Sequence, residues 1–462
     1  MTASPRTFSH HLRATIRLAL PLAGSQLAHF AMHVTDTVML GWYGVGALAA
    51  GVLGASSYFI LFILGSGFAA AAMGMVASAM ARDDETQVRR DVRMGIWLSL
   101  IYACVVYPVF YFSESILRAL GQEPALAAAA ADYLRIIGIG LIPSLVVMVL
   151  RSFAAALERV SIVLWSTVAA AGVNAVLNWA LIFGNWGAPE LGLRGAAMAT
   201  VGSQLISLTV VGGFAYWHPA MRRFRLFQRL WRPDWPVFLH LARRGLPVGL
   251  TNVAEGSLFS ATAMMMGWIG TVELAAHGIA LEAAALTFMI HIGIGNAATV
   301  RVGRFHGLGD LASMRRAGVA AIAVSMAVSA FVIAVFLVMP GTIVGLFVDH
   351  HDPAAAAIIA FGTTLLAVAA MFQLFDAQQA LALALLRGVQ DTAVPMWIAT
   401  FSYWVIGIPV AYLLAFPLGL GGIGLWFGLV CGLGCAGVLL MVRFWLGPAR
   451  REAAPEGALA RG

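Results

Sequence analysis

Twelve blocks of apolar residues, each near the roughly 20 residues that carry an α-helix across a bilayer, limit what this chain can fold into. Residues 18–40, 48–81, 95–112 and 134–150 come first, and further spans are expected at about 162–183, 195–217, 246–269, 274–300, 317–339, 355–385, 394–415 and 421–446. Hydrocarbon offers the backbone no hydrogen-bond partner, so each block must close its own bonds as a helix. Of the 462 residues 61% are hydrophobic and 11% charged, against about 25% charged in soluble domains. A water-soluble fold of this composition would lack a polar surface, so the sequence specifies an all-α integral membrane protein.

The basic residues orient the spans, because positively charged loops stay on the cytoplasmic side. All 28 are arginine. Arg6, Arg13 and Arg17 precede the first span, Arg82, Arg89, Arg90 and Arg93 follow the second, and Arg222, Arg223, Arg225, Arg229, Arg232, Arg243 and Arg244 crowd the sixth junction. Arg301, Arg304, Arg315, Arg316 and Arg387 continue the alternation, and Arg443, Arg450 and Arg451 mark the tail. The opposite connections hold Arg118, Arg135 and Arg194 beside Glu114, Glu123, Asp132, Glu190, Glu273, Asp349 and Asp352. Both termini are therefore expected in the cytoplasm. The net charge of +7 is spread over juxtamembrane loops, which points to anionic lipid as a partner and away from nucleic acid. No cleavage site follows an apolar core before the first span. Cys104, Cys431 and Cys435 fall inside spans in an odd number, implying neither a disulfide framework nor a zinc site.

Sliding the chain on itself by 226 residues aligns Pro21 with Pro247, Met39 with Met265, Gly41-Trp42 with Gly267-Trp268, Gly44 with Gly270 and Leu48-Ala49-Ala50 with Leu274-Ala275-Ala276. Near the end of each half, Leu191-Gly192-Leu193 answers Leu418-Gly419-Leu420 at an offset of 227. Each copy holds six spans, an even number, so the two repeats run parallel, related by an axis along the membrane normal. The expected division is residues 1–235 for the N-terminal lobe, spans one to six, and 236–462 for the C-terminal lobe, spans seven to twelve, with the arginine-rich 222–232 segment as hinge. Such paired bundles are a common plan of secondary transporters.

A charge in hydrocarbon costs at least about 2.5 kcal/mol, so each intramembrane acid is a candidate functional site. Asp36, Glu255, Glu282 and Asp376 qualify. At about 1.5 Å per residue, Glu255 and Asp376 both fall near the middle of the bilayer and belong to the same half. Two such carboxyls can hold a proton between them or bind a small cation; otherwise each serves packing. His29, His33 and Asp36 share one face of the first span, a spacing that suits either a metal or the lining of a polar cavity. Asn174 and Asn178 lie one turn apart and can join Asp36 in a polar cluster. Glycine-rich stretches at 65–67 and 293–295 sit within spans and favour close helix approach, while Pro143 and Pro409 are expected to kink theirs. No nucleotide-binding motif, catalytic constellation or cofactor motif is present in the sequence. An enzyme is thus not expected.

Along nearly its whole length the chain resembles the multidrug and toxic compound extrusion (MATE) family of transporters, its NorM-like bacterial branch in particular. The most specific stretch is Phe372-Gln373-Leu374-Phe375-Asp376-Ala377-Gln378-Gln379, followed by Leu386-Arg387-Gly388-Val389-Gln390-Asp391-Thr392 and Pro395. Met266-Gly267-Trp268-Ile269-Gly270, Leu274-Ala275-Ala276-His277 and Ala297-Ala298-Thr299-Val300-Arg301-Val302-Gly303 look like the family's seventh and eighth helices. Asp36-Thr37-Val38-Met39-Leu40-Gly41, Asn174 to Asn178 and Gly195-Ala196-Ala197 match in the first half.

The resemblance implies two six-helix lobes in a V, and export of organic, often cationic, compounds against an inward H+ or Na+ gradient. By position, Glu255, Asp376 and Asp36 would be ion-coupling acids, the first two able to hold Na+, and Asp36 would also join Asn174, Asn178 and Thr200 in the polar site of the N-terminal lobe. Gln373, His29, His33 and Glu282 are accessory candidates. Glu282 and His291 depart from the family's usual residues. A bacterial inner-membrane monomer with lipid and small organic partners is expected. The alternative is a flippase for lipid-linked precursors, which related folds support.

Overall fold

The computed structural model describes residues 7–348 and 353–450. Arg6, Asp349, Asp352 and Arg451 of the charge pattern lie outside them. Within them the chain is helical throughout: α1 (Phe8–Tyr43), α2 (Val45–Ala81), α3 (Glu85–Tyr111), α4 (Pro124–Ala156), α5 (Val160–Phe183), α6 (Leu193–Trp217), α7 (Trp235–Ile269), α8 (Thr271–Gly307), α9 (Leu311–Val338), α10 (Ala355–Gly388), α11 (Ala393–Ala415) and α12 (Gly421–Leu446). Ten of these are long and apolar enough to cross a membrane by length and composition. The other two, α1 and α7, are 36 and 35 residues long. Their apolar character is diluted by Ser25, Gln26, His29, His33 and Asp36 in one and Asn252, Glu255, Ser257 and Ser260 in the other. These two leading helices thus carry the polar groups that matter most below.

Contacts divide the chain into two compact units. The first is Gly24–Gly249; the second comprises the described parts of Met1–Ala23 and Leu250–Gly462. The divisions fall inside α1 and α7, whereas the sequence repeat begins its second copy near Trp235. Repeat and packing unit are therefore different things here. The cause is visible at two glycines. A Cβ on Gly67 of α2 would fall on backbone atoms of Gly245 and Gly249 in the first turns of α7, and a Cβ on Gly293 of α8 would fall on backbone atoms of Ala23 in α1. Only glycine lets main chains come this close. Positions 67 and 293, like 23 and 249, are 226 apart. The same contact therefore holds the opening turns of each leading helix to the second helix of the other sequence copy.

In the first unit α4 is the central helix, packed against α2, α3 and α6, with α5 on α6. Its core gathers Phe110, Leu134, Leu141 and Leu145 with Tyr133. In the second unit α10 takes the central place against α8, α9 and α12, with α11 on α12. Other repeat-related contacts are equally literal. Asp84 caps α3 by accepting from the Gln87 backbone N–H at 2.9 Å, and Asp310 caps α9 by accepting from Ser313 at 2.9 Å. Arg89 Nε donates to the Phe224 carbonyl at 2.6 Å, and Arg315 Nε to the Ala449 carbonyl at 2.6 Å. Each pair ties the third helix of a copy to the segment after its sixth.

Of the two prolines expected to kink their spans, Pro143 lies inside a continuous α4. Helix α11 widens to a π-helical turn at Ser402–Gly407, just ahead of Pro409. A proline lacks the N–H of the regular ladder and its ring crowds the carbonyl four residues earlier, and a π turn relieves both.

Two sets of substitutions test this architecture. Gly67→Ala and Gly293→Ala should each destabilise the protein by about 1–3 kcal/mol through overpacking against backbone, read as a lower unfolding temperature in detergent. Asp310 lies outside the spans; burial raises its carboxyl, but the Ser313 hydrogen bonds, with His11 and Arg316 nearby, outweigh this and hold it below the usual carboxylate range. A depressed carboxylate stabilises above its unfolded pKa and loses that contribution as pH falls through the folded value. Asp310→Ala should therefore cost about 1 kcal/mol near neutral pH, with the difference from the parent closing in acid thermal-unfolding series.

Candidate functional site

Each unit contains a polar cluster that its leading helix helps to build. In the first unit, Asp36 of α1 accepts from Asn178 Nδ2 of α5 through Oδ1 and from Thr200 Oγ1 of α6 through Oδ2, the latter at 3.2 Å. Asn178 Nδ2 also donates to Asn174 Oδ1 at 3.2 Å, so the one-turn spacing of the two asparagines puts both amides at one acid. Both asparagines are fully buried, yet Asn174 Nδ2 and Asn178 Oδ1 have no partner. The cluster is thus anchored but not saturated, with one donor and one acceptor spare.

The histidines of α1 belong to a different neighbourhood. His29 lies in the field of Arg151, a half-buried arginine near the end of α4 that donates to Ser207 Oγ at 2.7 Å. His33 is exposed and within electrostatic reach of both His29 and Asp36. Among the described residues no three His, Cys, Asp or Glu side chains converge as a metal site. The His29, His33, Asp36 spacing accordingly builds a polar face, with Asp36 committed to amide and hydroxyl donors.

In the second unit, Glu255 of α7 and Asp376 of α10 lie within electrostatic reach of each other. Asp376 is buried; Glu255 is half-buried, but its Oε1 is shielded. Tyr403, in the π turn of α11, feels both acids and is itself fully buried. Its hydroxyl accepts from Gln379 Nε2 at 2.6 Å. Gln379 is one turn beyond Asp376 on α10, so this bond carries the phenol to the same side of the helix as the acid. Arg387, near the end of α10, is the cation nearest in influence to Glu255. Glu255 Oε1, Asp376 Oδ1, Gln379 Oε1 and both polar atoms of Gln373 have no hydrogen-bond partner. A buried polar atom left unpaired costs about 1–3 kcal/mol. So many orphaned oxygens in one unit make a set that a proton or a small hard cation would satisfy.

Glu282 stands apart from both clusters, exposed on α8. His291 is buried and shares Ser325 Oγ at 3.1 Å, which also accepts from Gln378. Four participants were missed by sequence reasoning: Gln379, Tyr403, Arg387 as a site neighbour, and Arg151. Arg387 was read as a marker of orientation and as part of the family motif, not as a neighbour of the acids, although its position eleven residues from Asp376 on one helix was available. The repeat adds a further signal, since the 226 offset places His29 at the position of Glu255 and Thr262 at that of Asp36. The two copies share a scaffold and carry different chemistry on it.

A bundle of long apolar helices with unsaturated acids in its interior has the make-up of an integral membrane transporter. The MatE family model matches residues 21–180 and 247–413, one segment in each repeat. The chain belongs to this family, the MATE transporters. It is 44% identical to the probable multidrug resistance protein NorM of Rhizobium meliloti (strain 1021), over 98% of this chain and 97% of that one. With the multidrug resistance protein NorM of Burkholderia vietnamiensis it shares 39% identity, covering 98% of each chain. Among solved structures it resembles a multidrug resistance MATE family transporter of the MOP superfamily in an outward-facing conformation (TM-score 0.86, 19% identity, 96% of this chain and 97% of that one). It also resembles the eukaryotic MATE transporter AtDTX14 (TM-score 0.84, 20% identity, 96% and 98%).

Asn178→Ala should remove a donor from the buried Asp36 carboxyl and lower stability by about 1–3 kcal/mol, whereas Asn185→Ala, at an exposed loop hydrogen bond, should leave the unfolding temperature nearly unchanged. Equal effects at the two positions would show that the cluster does not anchor α1.

Proposed function

We propose that this transporter is an antiporter that exports organic, cationic drugs and toxic compounds by alternating access, coupled to an inward H+ or Na+ gradient. The observation that carries the reading is the Glu255–Asp376 pair with its unpartnered oxygens, with Arg387 in electrostatic reach of Glu255. The names of its relatives as multidrug resistance proteins support the cargo. The carboxyls of Asp36, Glu255 and Asp376 inside the two units suit cationic cargo, which weighs against a lipid-linked anionic substrate.

In this mechanism an ion entering from outside neutralises the Glu255–Asp376 region and favours the state that releases cargo. Loss of the ion to the cytoplasm restores the acids for the next cycle. Coupling requires only that ion and cargo prefer different states. Tyr403 and Gln379, bonded to each other, stand in the field of the two acids, while Asp36, Asn174, Asn178 and Thr200 form the polar site of the other unit. Functionally the chain would act as two six-helix lobes, residues 1–235 and 236–462, in a monomer of the bacterial inner membrane with both termini in the cytoplasm, requiring no cofactor.

Reconstituted in liposomes, the protein should take up a fluorescent organic cation when a proton or a sodium gradient is imposed. Asp376→Asn and Glu255→Gln should each reduce that uptake by about tenfold or more, a loss of roughly 1.4 kcal/mol in coupling. Uptake unaffected in the double variant would refute the acid-pair mechanism. Translocation of a lipid headgroup without either gradient would replace the antiporter with a flippase.

A further inference from the structure

The segment between α6 and α7 is held in an ordered form that turns its arginines outward. Successive turns of α3 grip its backbone: Arg89 Nε donates to the Phe224 carbonyl at 2.6 Å, Arg93 Nη1 to Arg229 at 3.3 Å and Trp97 Nε1 to Leu230 at 2.7 Å. Phe224 and Leu226 are buried beneath, while Arg222, Arg225, Arg229 and Arg232 are exposed. The first of the three grips has a counterpart in the second repeat, at Arg315. The other two do not, because the 226 offset places Val319 and Ala323 there. This longer ladder occurs in the copy that carries the basic segment.

Its charge is uncompensated. The neighbouring acids are engaged elsewhere, Glu85 with Arg223 at 3.7 Å and Asp234 with Arg90 at 3.3 Å. Arg222, Arg225, Arg229 and Arg232 make no ion pair among the described residues. By contrast Arg118, Arg135 and Arg194, in the opposite connections of the same unit, all pair with Glu114 or Asp132 at 2.6–3.3 Å. Backbone strain points the same way: Arg225 and Arg229 sit at φ 48° and 56°, a left-handed conformation that disfavours side chains with a Cβ and persists where the surroundings impose it. Trp217, Trp231 and Trp235 flank the patch, 74%, 75% and 54% exposed. Tryptophans of this kind sit at the headgroup level of bilayers, and the ends of two spanning helices place the segment there.

We infer that residues 217–235 form a docking site for the headgroups of anionic phospholipids, with Arg222, Arg225, Arg229 and Arg232 receiving the phosphates and the three tryptophans seated in the interface. A site of this kind links the stability of the first unit to the lipid around it, since a ligand that binds only the folded state stabilises it by mass action. The inference does not depend on which ions or cargo are transported.

The test is native mass spectrometry and thermal unfolding of the full-length protein in detergent, titrated with dioleoyl phosphatidylglycerol or dioleoyl phosphatidylcholine. The parent should retain phosphatidylglycerol preferentially and unfold at higher temperature with it. Replacing the four arginines by glutamine should weaken phosphatidylglycerol binding about tenfold or more and abolish the thermal shift. Arg225→Gly with Arg229→Gly relieves the left-handed strain, so this variant should be no less stable than the parent without lipid and still lose binding severalfold. Equal retention of the two lipids by the parent, or undiminished phosphatidylglycerol binding by the glycine variant, would overturn the inference. So would complete displacement of the lipid by millimolar inorganic phosphate, which would make this a phosphate site.

Discussion

The backbone contacts at Gly67 and Gly293 are the constraint on which the arrangement rests. Helices in hydrocarbon gain little from apolar burial against one another, because lipid tails are equally apolar, and must be held by close packing and by polar groups. Here one pair of such backbone contacts falls near the point at which each leading helix passes from one compact unit to the other. The opening turns of α1 and α7 are fixed by glycine, and the turns that follow are free to carry Asp36 in one copy and Glu255 in the other. Scaffold and chemistry occupy different stretches of the same helix.

Repetition is kept where it serves the scaffold and lost where it would serve the site. Capping at Asp84 and Asp310, the carbonyl grips of Arg89 and Arg315 and the glycines at 67 and 293 all recur at one spacing. The acids do not. His29 stands where the second copy has Glu255, and its neighbour in charge is Arg151, whereas Glu255 faces Asp376, Tyr403 and Arg387. Asp36 is fully partnered by Asn178 and Thr200, while the second unit leaves its carboxyl oxygens unpaired. One unit therefore has its carboxylate fixed by neutral donors, and the other leaves one shielded oxygen of each acid without a partner.

The spans were legible because a run of twenty apolar residues has few alternatives in water or in lipid. Their ends were less so: α4 begins at Pro124, ten residues before the apolar block, because a proline in its first turn and alanines 127–131 favour a helix, whereas Asp132 interrupts the apolar run. For the site, Asp36, Asn174, Asn178, Glu255 and Asp376 stood out as polar atoms in hydrocarbon. Tyr403 did not, since a tyrosine is unremarkable in a membrane helix until a π turn and a glutamine bring its hydroxyl to an acid. The reach of Arg387 to Glu255 was hidden for a related reason. A linear pattern marks arginine as the end of a span, and α10 does end at Gly388, but the sequence does not show that its guanidinium comes within electrostatic reach of Glu255 on another helix. The division of the units at Gly24 and Leu250 was likewise invisible, because the repeat describes ancestry along the chain and packing describes neighbours in space.

That division has a consequence for how such a molecule arose. If the opening turns of one copy pack on the second helix of the other, then a six-helix ancestor with the same contacts would have been an exchanged dimer, each chain lending its first turns to its partner. Because both copies enter the membrane facing the same way, that dimer needed no inversion of either subunit. Fusion of two such chains would then join an existing contact rather than create one, and would leave the paired positions 29 and 255 able to diverge within a single polypeptide.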